Sequence, residues 1–261
     1  MSKNTTKPLK KEHAVQEVIF SLQLAEQLSS DTIKKFFSLK DVFKKEFPHF
    51  EELKQLVLQV TPSLPAANVL TNEAGGIPAG MRLVHTLENG ALDWSIHVEQ
   101  NMIVITCLDY KGWEKTWSKA QVYLQTLAEQ IIGTSVIKAI NLQYTNIFLS
   151  SNPDHYDLWQ VFNEKSPYLT DNIKKTGSLW HLFQGWLEEN ATLNLRYLNN
   201  LNLATLVKDK EHVTTITILR QAQIDNLVLE NLDKVMNELH DDLKKILGNV
   251  LATRMAKEIG L

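Results

Sequence analysis

Residues 82–100 read RLVHTLENGALDWSIHVEQ, two runs of alternating apolar and polar side chains on either side of Asn89-Gly90. Asn-Gly signals a two-residue type I′ turn, because both central residues of that turn need a positive φ. Such a turn pairs Glu88 with Ala91, and therefore Leu83 with Ile96, His85 with Trp94 and Leu87 with Leu92. One face then collects Leu83, His85, Leu87, Leu92, Trp94, Ile96 and Val98, and the other Arg82, Thr86, Glu88, Asp93, Ser95, His97 and Glu99. This is the alternation of an antiparallel sheet with one face on a core and one in water. A second two-residue turn at Gln100-Asn101 adds Ile103, Ile105 and Cys107 to the apolar face, with Cys107 opposite Trp94 as a core thiol.

Downstream, DYKGWEKTWS opens a stripe of Trp113, Trp117, Ala120, Leu124, Leu127 and Ile131 at alternating spacings of four and three. This is an amphipathic helix running to Gly133. Trp113 and Trp117 either pack on the sheet or wall an open pocket, and Tyr110, ahead of the helix, is the more exposed of the three rings. Upstream, HAVQEVIFSLQLA is rich in β-branched and aromatic residues and reads as a strand. Ser29-Ser30-Asp31 caps a helix carrying Ile33, Phe36, Phe37, Val42, Phe43 and Phe47. That helix breaks at Phe47-Pro48, and a second short helix is expected through Leu53. LVLQV (56–60) reads as a strand, and residues 61–80, rich in Pro and Gly, as a long loop.

The second half repeats the order. VIKAINLQYTNIFLS reads as a strand, HYDLWQVF and SLWHLFQGWLEE as helices, and TLNLRYL, ATLVK and HVTTITIL as three strands, the last two joined across Asp209. A final helix from near Leu229 holds Leu232, Met236, Leu239, Leu243, Ile246 and Val250 on one stripe. The expected fold is α+β: two similar halves, each strand, helices, antiparallel three-strand meander and long helix, fused into one globule. The boundaries are a flexible basic tail over 1–12, an N-terminal half over 13–134 and a C-terminal half over 135–261 packed tightly on the first.

At 261 residues and 44% hydrophobic, the chain can bury a sizeable core. A net charge of −3 supplies no global field for a polyanion, although Lys3, Lys7, Lys10 and Lys11 form a short basic tail. One cysteine excludes an intramolecular disulfide and a multi-cysteine zinc site, and fits a cytoplasmic protein. The N-terminal lysines lead into a segment too polar for a signal peptide, and no run reaches the roughly 18 apolar residues of a membrane span.

Several stretches together resemble a family of uncharacterised, sporadically distributed prokaryotic proteins of about this length. They are Pro8-Leu9 with Glu17 to Phe20, Phe47-Pro48, the Tyr110 and Trp113 of YKGW, INLQYTNIF, and LDKVMNELHDDLKKIL with its Leu239-His240 pair. The resemblance covers nearly the whole chain. It departs from the family's Arg-Tyr-Ile-Asn run, which here is Gln143, Tyr144, Thr145 and Asn146. The resemblance implies no established activity. The scattered distribution implies a role in phage defence, anti-defence or toxin neutralisation.

A search for chemistry finds no catalytic set. No two of the eight histidines stand at i, i+2 on a strand or i, i+4 on a helix, so no metal or other cofactor is expected. His85 reads as a satisfied core histidine. His240, with Asp241 and Asp242, reads as either a base with an orienting carboxylate or a solvated helix flank. AGGIPAG lacks the Lys-Ser/Thr of a phosphate loop, and Pro153-Asp154 with Glu164 lacks the lysine a nuclease needs. What stands out are polar residues inside strands: Arg196, and Tyr144 with Asn146 on one face. With Tyr110 these are the candidate contacts for a ligand or partner. The expectation is a non-enzymatic interaction or regulatory protein with a protein partner and no membrane association, nucleic acid staying open as a partner although the net charge does not indicate it. The C-terminal stripe offers a route to a homodimer. The alternative is a small-molecule binder with a cavity between the antiparallel sheet and the long helix.

Overall fold

The hairpin holds its expected register in the middle, with Leu83 opposite Ile96 and His85 opposite Trp94, but departs from it at the tip. Gly90 has a φ of 79° and donates its N–H to Leu87 O, while Leu87 N–H donates to Ala91 O. This is a type I turn closed by a glycine in the left-handed region, the three-residue alternative to the two-residue turn. The extra residue is taken up as a bulge that pairs Thr86 with Leu92. Asp93 is thereby turned from the expected polar face into a buried contact with the His85 ring, and Leu87 is left 39% exposed. The turn at Gln100-Asn101 forms as expected, and Cys107 lies opposite Trp94, fully buried.

This computed structural model describes residues 6–55, 77–131, 135–151, 156–190, 195–224 and 229–261. The strand expected at 56–60, most of the 61–80 loop, Lys3, Gly133 and Pro153-Asp154 lie outside the described residues. The elements in chain order are β1 (Thr6–Pro8), β2 (Val15–Leu24), α1 (Ser30–Phe37), α2 (Lys40–Phe43), β3 (His49–Gln55), β4 (Ile77–Thr86), β5 (Leu92–Glu99) and β6 (Met102–Cys107). Then follow α3 (Trp113–Ala128), β7 (Ile137–Ser150), β8 (Trp180–Asn190), β9 (Leu195–Lys208), β10 (Glu211–Gln223), α4 (Leu232–Val250) and α5 (Thr253–Glu258).

The strands make one antiparallel α+β sheet of ten, in the order β3-β4-β5-β6-β2-β7-β10-β9-β8, with β1 pairing on the end of β7. β2 and β7 meet in the middle, and α3 packs on β6 and β2 while α4 packs on β10 and β7. On the helix-covered face Phe20, Leu142, Ile105, Ile216 and Leu201 join one core cluster. The opposite face carries polar pairs such as Asn141 with Ser21 and Gln221 with Gln23. Among the described residues no helix is long and apolar enough to cross a membrane.

Four expected helices differ. The single helix from Ser30 towards Phe47 is divided into α1, capped by Ser29, and the one-turn α2. Beyond Pro48, HFEELKQ is the edge strand β3 because it pairs with β4, which outweighs its helical composition. The described part of HYDLWQVF, 156–162, holds a 3-10 turn at Leu158–Gln160, and SLWHLFQGWLEE supplies β8, paired along its length with β9. Leu182, Phe183, Trp186 and Leu187 have helical spacing, yet the strand splits them between two faces. The described LRYL of TLNLRYL and ATLVK belong to one continuous β9, joined to β10 by Asp209 and Lys210, both with positive φ.

Candidate functional site

Where β7 and β10 pass under α4, the core leaves a cavity of about 240 Å³. Period-2 alternation puts Tyr144 and Asn146 of β7 on this side of the sheet. α4 contributes His240, Leu243 and Lys244 from above. The entry to α3 brings Tyr110 and Trp113, and the approach to β2 brings His13. Gly112, with a φ of 96°, makes the turn between Tyr110 and Trp113 that aims both rings the same way.

The rings form a connected wall. Trp113 stacks flat on His240 at 4.0 Å between centroids, and on Trp117 at 5.8 Å. Tyr110 meets Tyr144 and His13 edge-on at 6.0 and 5.3 Å. Two indole hydrogen bonds lock α3 to α4: Trp113 Nε1–H donates to Asn237 Oδ1 and Trp117 Nε1–H to Asp233 Oδ1, each at 2.7 Å. Trp117 is therefore core, whereas half-buried Trp113 serves both core and cavity.

The Tyr144 hydroxyl and His240 Nδ1 share a hydrogen bond of 3.0 Å. Burial lowers His240 to a pKa of about 4 and lowers that of His13, so both imidazoles are neutral at pH 7. Burial likewise pushes the Tyr110 and Tyr144 phenols up. The cavity wall thus holds four titratable rings, all uncharged. Asn146 is 1% exposed and its Nδ2–H reaches Ile216 O only at 3.5 Å. Among the described residues its Oδ1 has no hydrogen-bond partner. A buried amide oxygen without a donor costs about 1–3 kcal/mol, a penalty a native fold carries for a reason.

No protein family, curated protein or solved structure matches this chain.

Of the four residues expected from sequence, the structure brings Tyr110, Tyr144 and Asn146 to one cavity. Arg196 is elsewhere, exposed near the start of β9 and 3.4 Å from Glu189. The arginine that faces inward is Arg220 of β10, held by Glu188 at 2.6 Å and Asp242 at 2.9 Å, and lying 4.1 Å over the Tyr197 ring. Its signal was the alternation Ile216, Ile218, Arg220, Ala222, which assigns it to the buried face. His240 is neither a base oriented by a carboxylate nor a solvated flank: Asp242 turns away to Arg220, and the imidazole walls the cavity. His13 has no legible signal, since it joins the site through a contact with Tyr110 almost a hundred residues away. Among the described residues no group of three or more His, Cys, Asp or Glu is placed to hold a metal ion. The apolar stripe of α4 is buried against its own sheet, including Leu232, Leu239, Leu243 and Val250.

Proposed function

We propose that this chain acts by binding, and that its ligand is a planar molecule carrying an N–H or O–H donor. The observation that carries this reading is Asn146, which lines an aromatic-walled cavity and whose buried Oδ1 has no hydrogen-bond partner among the described residues. The imidazoles and protonated phenols supply ring faces and hydrogen bonds, and burial weakens both imidazoles as bases, which favours recognition over a chemical step. A cavity of 240 Å³ is below the ~300 Å³ at which drug-sized sites begin, and suits one or two fused rings. Residues of both expected halves contribute: His13, Tyr110 and Trp113 from 13–134, and Tyr144, Asn146 and His240 from 135–261. The pairing of β2 with β7 at the sheet centre supports reading the fold as two halves with the pocket at their junction.

Asn146→Leu tests the reading without knowledge of the ligand. A leucine has nearly the same shape and no lone pair to satisfy, so the ligand-free variant melts higher than wild type, by the equivalent of about 1–3 kcal/mol. A lower melting temperature removes the basis of the proposal, because Asn146 is then a structural residue.

A second reading, a protein-interaction role, is favoured by the free edge of β8. Its exposed row runs His181, Phe183, Gly185, Leu187 and Glu189, with Phe183 and Leu187 each 61% exposed. The row is complementary to itself about Gly185: in antiparallel pairing, His181 faces Glu189 of a second copy and Phe183 faces Leu187. We therefore assign this edge to a second copy of the chain, joined strand to strand across a two-fold axis. Light scattering across a concentration series shows a dimer that Phe183→Glu reduces to a monomer. A wild-type monomer throughout eliminates this arrangement.

A further inference from the structure

Beside the aromatic cavity lies a second, larger one of about 650 Å³, and the two share His13, Tyr110 and Ile259 as a common wall. The larger cavity is lined by Lys10, Lys11, Lys111 and Lys115, with Glu12 as its one carboxylate. Lys244 stands in the aromatic cavity itself. Asp109 pairs with Lys111 at 2.9 Å and with Lys10 at 3.7 Å, while among the described residues Lys11 and Lys115 have no carboxylate within ion-pair distance. In a chain of net charge −3 this is a local concentration of cations. Gly112 also leaves the sixteen-residue helix α3 without a side-chain cap, and it lines the larger cavity together with Lys111 and Lys115, so the start of that helix borders the same lysines.

Each cavity asks for a different part of one molecule. The inner one presents ring faces and the unpartnered Asn146 Oδ1, which wants a donor such as a ring N–H or exocyclic amine. The outer one presents unpaired ammonium groups and uncapped amides, which want a phosphate. The shared wall of His13 and Tyr110 leaves only a short distance between the two requirements. We propose that the two cavities form one bipartite site for a phosphorylated heteroaromatic ligand of the nucleotide class. The base lies among Tyr110, Trp113 and Tyr144 and donates to Asn146, and the phosphate lies on Lys11, Lys115 and the start of α3. The proposal rests on the pocket reading above and adds the anionic half. The same chemistry is offered by a free nucleotide and by the 5′-phosphorylated end of a strand; the size of the inner cavity favours the free nucleotide.

Calorimetric titration of the full chain with the four nucleosides, the four nucleoside 5′-monophosphates, inorganic phosphate and a 5′-phosphorylated oligonucleotide tests it. At least one monophosphate binds about tenfold or more tightly than its nucleoside, as expected for one new charge-assisted contact. Its affinity falls with added salt, and the Lys11→Gln/Lys115→Gln double variant removes the advantage and flattens the salt dependence. Inorganic phosphate alone binds far more weakly, since it leaves Asn146 unpaired. An oligonucleotide that outbinds the monophosphate still supports the chemistry and identifies a strand end as the source. Equal affinity for nucleosides and nucleotides overturns the outer half. Failure of all the nucleosides and nucleotides to bind overturns this proposal outright. The pocket reading then stands or falls separately, on whether Asn146→Leu stabilises the free protein.

Discussion

Burial holds the His240 imidazole neutral down to about pH 4, between the Trp113 face and the Tyr144 hydroxyl. In the unfolded chain a histidine takes up its proton near pH 6.5. Between those values the unfolded chain binds the extra proton, so stability contributed by the neutral ring is present above about pH 6.5 and is lost as pH falls towards 4. His13, also lowered by burial, acts in the same direction. Denaturant midpoints measured from pH 7 to pH 4.5 decline for wild type and decline less for His240→Gln; equal slopes would show that His240 is already solvated when folded. Arg220 poses the opposite problem, a buried charge held by carboxylates. Arg220→Ala costs about 3 kcal/mol in urea unfolding, the lower end for breaking a buried pair because half-exposed Glu188 keeps its contact with water. Arg220→Met, which fills the space over Tyr197, costs less.

Elements were legible where one periodicity had no competitor. The runs flanking Asn89-Gly90 alternate strictly, and α3 and α4 keep their stripes for several turns, so strand, register and helix all emerge from spacing. β8 was misread because it lies at an edge. Without burial on both faces nothing forces its outer row to be polar, and its apolar residues fell into a helical rhythm by coincidence. β3, at the other edge, was misread for the same reason from its Glu and Lys content. The tip of the β4–β5 hairpin shows how far a turn motif reaches: Asn-Gly locates the turn, but the loop is three residues long where two were expected. Because Gly90 alone takes the left-handed conformation there, Gly90→Ala destabilises the protein by about 1–2 kcal/mol, measured by thermal melting. The same substitution at Gly177, whose φ is not in that region and whose surroundings are open, serves as the neutral control.

At the scale of the molecule, the sheet runs unbroken through the β2–β7 pair, and its core is one cluster drawing on both sequence halves. Residues 13–134 expressed alone lose β7, one of the two strands paired with β2, and leave that edge of β2 without its partner at what is the centre of the intact sheet. Such a fragment lacks a sharp unfolding transition by circular dichroism, while the full chain unfolds in one step. A cooperatively folded 13–134 fragment would mean that the halves are independent. The candidate site was half legible for the same architectural reason. Tyr144 and Asn146 share a strand face that alternation reveals, whereas His13, His240 and the lysine cluster converge only once strands, turn and helix are assembled. The two ends of this sheet are also unlike. At β3 the exposed Glu51, Glu52 and Lys54 repel an incoming strand, and at β8 the exposed Phe183 and Leu187 invite one. Among the described residues β8 is the one inviting edge, so the proposed joining of like end to like end would use it up in each molecule: such an assembly would be self-limiting, closing at two copies without propagating into a fibre.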